Sequence, residues 1–243
     1  MNDVKNIAAL LLVLGACSSD SGNSDGDSRT EADAGVDSLP ASSCDPATVL
    51  PSNYRLIATV ATGAVQVTTT ASVTSGTIDA TAGGLTNAAD NPYIYVDLRT
   101  GAKVNVSDIA ARSSTAWDIA LKRSSLRLNS GDSGSGNRKL AVVAAASLAD
   151  VTAAPADGYA TDDFTTADCA LDSMPAGEPK SAFGEWYGYD DATHAVTPKP
   201  EVYVIQRDDG SRTALRLTTY YGDVAAPTRG AFYGVEWKQL TAP

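Results

Sequence analysis

Tyr93-Ile94-Tyr95-Val96-Asp97-Leu98-Arg99-Thr100-Gly101 decides how the chain is read. Ile94, Val96 and Leu98 recur at period two, the spacing that puts side chains on one face of a strand. Arg99-Thr100-Gly101-Ala102 carries turn residues and leads into Lys103 to Val106, so the segment reads as a hairpin. The same period runs outward in both directions. Trp117-Asp118-Ile119-Ala120-Leu121-Lys122 places Trp117, Ile119 and Leu121 on one face, and Leu126 and Leu128 continue after a short turn. Val202 to Gln206 and Thr213 to Thr219 flank Asp208-Asp209-Gly210-Ser211, a strong hairpin signal. Ala231 to Trp237 reads as the last strand. Upstream, Tyr54 to Val60 and Ala64 to Val73 are rich in the β-branched residues that favour strands. Ser107 suits the N-cap of a short helical turn to Arg112, and no long amphipathic helix is expected. The fold class expected is all-β, a single antiparallel domain from residue 44 to 243.

Two stretches fall outside this pattern. Asn129 to Asn137 is rich in Gly and Ser and reads as a flexible loop; no helix follows to orient its amides on a phosphate. Ala153 to Pro200 is long, polar and broken by five prolines, yet holds Phe164, Phe183, Trp186, Tyr187 and Tyr189. A long aromatic-bearing loop in a compact domain is usually functional or disordered.

The N-terminus has its own logic. Ile7 to Leu14 is an apolar run too short to span a bilayer, which takes about 20 residues, and it fits the core of an export signal. It ends in Leu14-Gly15-Ala16-Cys17, the lipobox pattern of bacterial lipoproteins. The expected processing removes residues 1–16 and acylates Cys17, giving a membrane anchor of more than one chain. Ordinary cleavage with a free cysteine is the alternative; the polar Ser18-Ser19 that follows favours acylation. Ser18 rather than Asp after the cysteine resembles lipoproteins sorted to the outer membrane, on its periplasmic face or at the cell surface. Residues 17–43 then form an acidic tether, six acids against Arg29, whose composition predicts disorder. Its Asn23, Asp25 and Asp27 lack the glycine and the final Glu of a calcium loop. The tether holds −5 of the chain's −11, so the body is only mildly acidic, and nucleic acid is not an expected partner.

With Cys17 committed to lipid, Cys44 and Cys169 remain. In an exported chain a disulfide between them is expected; a pair of buried free thiols is the alternative. Two cysteines and one histidine cannot make a four-ligand zinc site. No Gly-x-Ser-x-Gly elbow is present, a Ser-His-Asp site would have to rely on His194 alone, and Asp162-Asp163 and Asp190-Asp191 read as solvated turn residues. An enzyme is therefore not expected.

Four blocks in order resemble the HmuY family of haem-binding lipoproteins. They are Tyr93 to Gly101; Trp117 to Arg123 with Leu126 to Gly131; Trp186-Tyr187-Gly188-Tyr189-Asp190 with Thr193-His194-Ala195-Val196-Thr197-Pro198-Lys199-Pro200; and Val202 to Ile205, Leu215 to Leu217, Tyr220-Tyr221-Gly222 and the strand ending at Trp237. The resemblance implies an all-β fold with projecting hairpins whose loops close over haem. It also implies a non-enzymatic role in haem capture, with haem or a haemoprotein as partner and delivery to an outer-membrane haem receptor. Relatives grip the iron with paired histidines or with methionine. This chain departs from paired histidines, because it has one histidine, His194, and one mature methionine, Met174. Haem iron takes His, Met, Tyr or Cys thiolate, so His194 and Met174 are the candidate ligands, with Trp186, Tyr187 and Tyr189 as candidate porphyrin contacts. The competing reading is a structural or adhesive β-lipoprotein, in which His194 braces the turn before Thr197-Pro198 and Met174 is an ordinary loop residue.

Overall fold

The computed structural model describes residues 44–222 and 230–241, all within the compact unit Pro40–Pro243. The expected signal segment, the expected lipidation site Cys17 and the expected tether lie outside the described residues. Twelve strands occur among the described residues, and every strand pair is antiparallel. A six-stranded sheet has the order β1-β2-β12-β11-β10-β7: β1 Val65–Thr70, β2 Val73–Asp79, β12 Phe232–Leu240, β11 Arg212–Thr219, β10 Glu201–Gln206 and β7 Lys139–Ala144. A four-stranded sheet has the order β4-β3-β5-β6: β4 Ala102–Val104, β3 Ile94–Asp97, β5 Ile119–Lys122 and β6 Ser125–Leu128. A separate hairpin pairs β8 Tyr187–Asp190 with β9 Ala195–Pro198.

Period two becomes burial directly. Ile94, Leu121 and Leu126 stand in one row across the small sheet, and Val96, Ile119 and Leu128 in the next. All six join one core with Ile78, Leu140, Tyr203, Ile205, Leu215, Leu217, Tyr233, Val235 and Trp237 of the large sheet. The opposite faces are also covered. Val202, Val204 and Ala214 pack with Leu148 of the short 3-10 segment Leu148–Asp150 and with Val151 just after it, and Tyr93, Tyr95 and Ala120 pack with Trp117 and with Ala111 of α1 (Asp108–Ala111). Strands buried on both faces lose the polar alternation that a solvated sheet would show. Ser107 caps α1, accepting a hydrogen bond from the Ala110 amide at 3.3 Å.

Polar ties join the two sheets. Trp237 Nε1 donates to the Leu98 carbonyl at 2.8 Å, and Tyr233 donates to the Arg123 carbonyl at 2.6 Å. Asp118 accepts from Arg138 Nε, from Arg207 Nε and Nη2, and from the Leu98 amide. These guanidinium partners hold its carboxyl below the usual carboxylate range although burial opposes them. The expected Cys44–Cys169 disulfide is present, with Cα atoms 5.4 Å apart.

Several expectations are corrected. Trp117 does not share a face with Ile119 and Leu121: it precedes β5 and turns to the α1 side, donating from Nε1 to the Ala111 carbonyl. Tyr54 to Val60 is not a strand, because its backbone is bonded elsewhere; the Ile57 amide donates to the Asp108 carboxylate and the Ile57 carbonyl accepts from the Asp108 amide. Ala64 to Val73 divides at Ala71, whose φ is 56°, into two paired strands. Asn129 to Asn137 is packed rather than loose. Asn129 donates to the Ser114 and Trp117 carbonyls and accepts from the Gly136 amide. Asp162, fully buried, accepts from the Leu128 amide, the Ser133 hydroxyl and the Ala182 amide, so it is no solvated turn residue. Asp190 keeps the expected turn role, capping the Ala192 and Thr193 amides.

Candidate functional site

The stretch from Ala153 to Pro200 has more order than its prolines suggest. Isolated bridges pair Thr165 with Leu171 and Ser173 with Pro179, folding residues 164–180 into two successive turns. Met174-Pro175-Ala176-Gly177 is the second. The Met174 amide donates to the Glu178 carbonyl and the Gly177 amide to the Met174 carbonyl, both at 2.8 Å. Gly177 takes φ 82°, a conformation that glycine adopts at no steric cost. The β8–β9 hairpin follows. Its turn ends on His194, which holds φ 56°, uncommon for a residue with a side chain.

The candidate residues are not all in one place. Trp186 belongs to the core: it is 1 % exposed, its indole donates to the Ser124 carbonyl, and its ring meets those of Tyr187, Tyr220 and Tyr233 at 4.8, 5.8 and 5.3 Å. It braces the hairpin from beneath. Met174, Tyr187 and Tyr189 come together around a hollow of about 130 Å3, lined also by Pro175, Ala176, Glu178 and Glu185. His194 does not line the hollow. It is exposed on the hairpin and joined to it through Tyr189, whose hydroxyl lies 2.7 Å from Nδ1. The hairpin is fixed to the body by the Tyr221 hydroxyl, which accepts from the Val196 amide, and by the Lys199 amide, which donates to the Trp186 carbonyl.

The floor of the hollow was not foreseen from sequence. Glu178 sits in an ordinary polar run, Gly177-Glu178-Pro179, yet is 3 % exposed. Ser124 donates to its Oε1, and burial pushes its carboxyl above the usual carboxylate range. No sequence signal marks it, since a lone acid in a proline-rich loop is normally solvated.

The donor chemistry fits haem as a surface rather than an enclosed pocket. Ligand pockets run from roughly 300 Å3 upward, so the hollow itself is too small for a porphyrin. In the tautomer whose Nδ1–H donates to the Tyr189 hydroxyl, the imidazole leaves Nε2 to ligate a metal, the arrangement that orients ligand histidines. A thioether and two tyrosine rings stand on the same hairpin and turn. Among the described residues no cluster of three or more His, Cys, Asp or Glu is set to hold a bare metal ion, and no helix is long and apolar enough to cross a membrane.

Comparisons with known proteins place this architecture. Among solved structures, a candidate lipoprotein of Bacteroides fragilis superposes with a TM-score of 0.50 at 18% identity, covering 74% of this chain and 98% of that one. The apo HmuY analog of Tannerella forsythia gives a TM-score of 0.47 at 20% identity, covering 69% and 95%. A candidate HmuY-like haem-binding protein of Bacteroides vulgatus gives 0.43 at 24%, covering 68% and 91%. No curated protein sequence matches the chain. The family model described as HmuY protein matches residues 89–232, which takes in the four-stranded sheet, strands β7, β10 and β11 of the six-stranded sheet, the β8–β9 hairpin and the Met174 turn. The chain belongs to the HmuY family.

Proposed function

We propose that this chain is a non-enzymatic haem-binding lipoprotein, anchored through lipid on Cys17 at the outer membrane, that captures haem and passes it to an outer-membrane receptor. The observation that supports it is that His194 is hydrogen-bonded to Tyr189, which lines the same hollow as Met174, in a chain of this family. Imidazole and thioether are both axial ligands of haem iron. Bound haem would supply the iron; the chain supplies His194 Nε2 and the Met174 thioether as ligands, and the Tyr187 and Tyr189 rings as apolar contacts. Tyr189 holds the imidazole in one orientation, and the fixed hairpin base keeps that orientation from drifting.

Haem titration of the mature chain tests the reading. The expected result is a shifted Soret band with a low-spin, six-coordinate spectrum. His194→Gly suits the φ of 56° and so keeps the turn while removing the imidazole. It should weaken binding by at least an order of magnitude and abolish the low-spin signature. Unchanged affinity and spectrum would remove His194 from the ligand set. No Soret shift in the unmodified chain would replace this reading with a structural or adhesive lipoprotein, which the burial of Trp186 in the core favours. The anchor has its own check: Cys17→Ser should move the protein from the membrane fraction to the soluble one, and unaltered partitioning would sink the lipidation assignment.

A further inference from the structure

Arg212 and Arg216 stand on the same face of β11, and the strands beside them treat the two differently. Arg216 lies opposite Glu236, and its Nη1 donates to that carboxylate at 3.0 Å. Arg212 lies between Gln206 and Leu240, neither of which carries charge. No ion pair among the described residues involves Arg212, and its Nε is enclosed without a hydrogen-bond partner. A guanidinium stays charged at any working pH. Holding one partly out of water with no anion beside it is costly.

The space around Arg212 says what anion would suit it. Its face of the sheet is the one turned away from the core that the two sheets share. In the next row of that face, Val204 and Ala214 pack with Leu148, Val151 and Ala154. A bridge between Leu140 and Ala160 ties the end of the covering segment to the edge strand β7. Between that segment and the row of Gln206 and Arg212 lies a hollow of about 350 Å3, walled by Ala154, Pro155, Ala156 and Tyr159. Ligand sites begin at roughly this size. The Tyr159 hydroxyl is enclosed, so Tyr159 is a wall and not a polar contact. The Arg212 Nη nitrogens also have no partner, but unlike Nε they are not enclosed, so they are the donors that a ligand in the hollow can reach. Lys139 stands in the same row, opposite Gln206 and roughly 10 Å from Arg212 at two strand spacings, and it too has no ion pair among the described residues. The potential over the hollow is therefore positive while its walls are apolar. A carboxylate matches the guanidinium fork with two parallel N–H bonds. Inorganic phosphate matches the fork as well but leaves the apolar walls unused.

We propose that this hollow binds a small monocarboxylate with an apolar body, its carboxylate on the Arg212 Nη nitrogens and its body against Ala154, Pro155, Ala156 and Tyr159. The site is separate from the haem reading. Arg212 opens β11, whereas Tyr220, which meets the Trp186 ring, follows its far end about 23 Å away at 3.3 Å per residue.

The test uses the haem-free full chain with alanine methyl labels, and sodium hexanoate as the probe. The expected result is a saturable shift of the Ala154 and Ala156 methyls with hexanoate, and none with hexylammonium chloride at equal ionic strength. Arg212→Gln removes the charge and breaks no side-chain bond among the described residues, and it should weaken hexanoate binding tenfold or more. An unsaturable response, or equal affinity in Arg212→Gln, would overturn the proposal. Sodium phosphate binding as tightly as hexanoate would overturn it too, by showing that the walls select nothing. If Arg212→Gln does not fold, the Arg212 Nε–H resonance of the native chain should move with the same saturation as the alanine methyls. A resonance that stays fixed there would overturn the proposal equally.

Discussion

Asp162 shows how far a residue's role can depart from its local sequence. Asp162-Asp163 looks like a polar turn, and Asp163 is exposed, but Asp162 is 0 % exposed and collects three donors from three different segments. Burial outweighs those donors and pushes its carboxyl up to about 6, from an ordinary 3.8. The folded state therefore holds a proton that the unfolded chain releases at lower pH. The associated stability is fully present below pH 3.8 and is lost as pH rises through about 6. At 1.36 kcal/mol for each pKa unit the loss is of order 3 kcal/mol. Asp118 works in the opposite sense: its depressed carboxyl contributes stability above the unfolded value, lost only in more acidic solution, outside this window. Urea denaturation of the native chain and of Asp162→Asn between pH 4 and pH 7 isolates the effect. The native chain should lose stability relative to the variant across that range, and parallel curves would contradict the assignment. Sequence offered no hint of this, because a carboxylate's burial is decided by segments 20 to 34 residues away in the chain. The same holds for Glu178, whereas His194 and Met174 were readable as candidates simply because His194 is the one histidine of the sequence and Met174 its one methionine besides Met1.

At the scale of elements, strands were legible where one face alternates and illegible where side chains bind backbone. Ile94, Val96, Ile119, Leu121, Leu126 and Leu128 entered the core as their spacing required. The β10–β11 hairpin closed at Asp208-Asp209-Gly210-Ser211, with Gly210 at φ 79° and the Arg207 amide donating to the Ser211 carbonyl. The segment Asn129 to Asn137 went the other way. Composition alone predicts flexibility there, but its glycines serve close packing. A Cβ on Gly134 would lie 2.3 Å from Asn129 Oδ1 and 2.8 Å from the Trp117 ring, and one on Gly136 would lie 2.5 Å from the Asn129 carboxamide carbon. Gly134→Ala must displace the amide that holds the Ser114 and Trp117 carbonyls, so a cost of roughly 1–3 kcal/mol is expected. Thermal unfolding measures the cost, and amide exchange at Gly136 should quicken as its bond to Asn129 loosens. A variant as stable as the native chain, with unchanged exchange, would show that the loop yields freely after all.

At the scale of the molecule, two sheets share one core and the irregular residues 153–186 are laid against its edges, drawing Phe164, Phe183 and Trp186 inward. Such a segment has few backbone ladder bonds of its own. Its position rests on side-chain anchors: Asp132, which accepts from the Phe164 and Thr165 amides; Asp162; and the Cys44–Cys169 disulfide. The pairing of Cys44 with Cys169 followed from setting Cys17 aside as the expected lipidation site, which leaves an even count; the place it takes in the fold did not, since nothing near Cys169 in sequence shows that residues 160–180 return to the start of the body. The bridge closes a loop of sequence separation 125, and restricting the unfolded chain over that span contributes about 5 kcal/mol by loop entropy. Because Cys169 sits one turn before the Met174 turn in the same folded-back segment, losing the bridge should loosen the hairpin floor as well as the N-terminal edge. Replacing both cysteines by serine should lower the melting temperature by about 10–20 °C, given 2–4 °C for each kcal/mol in a body of this size. The Met174 methyl resonance should broaden or move in the folded variant, whereas resonances of β10 and β11 should stay in place. A double-serine variant that melts with the native chain and keeps the Met174 resonance would show that residues 160–180 are held by Asp132 and Asp162 alone.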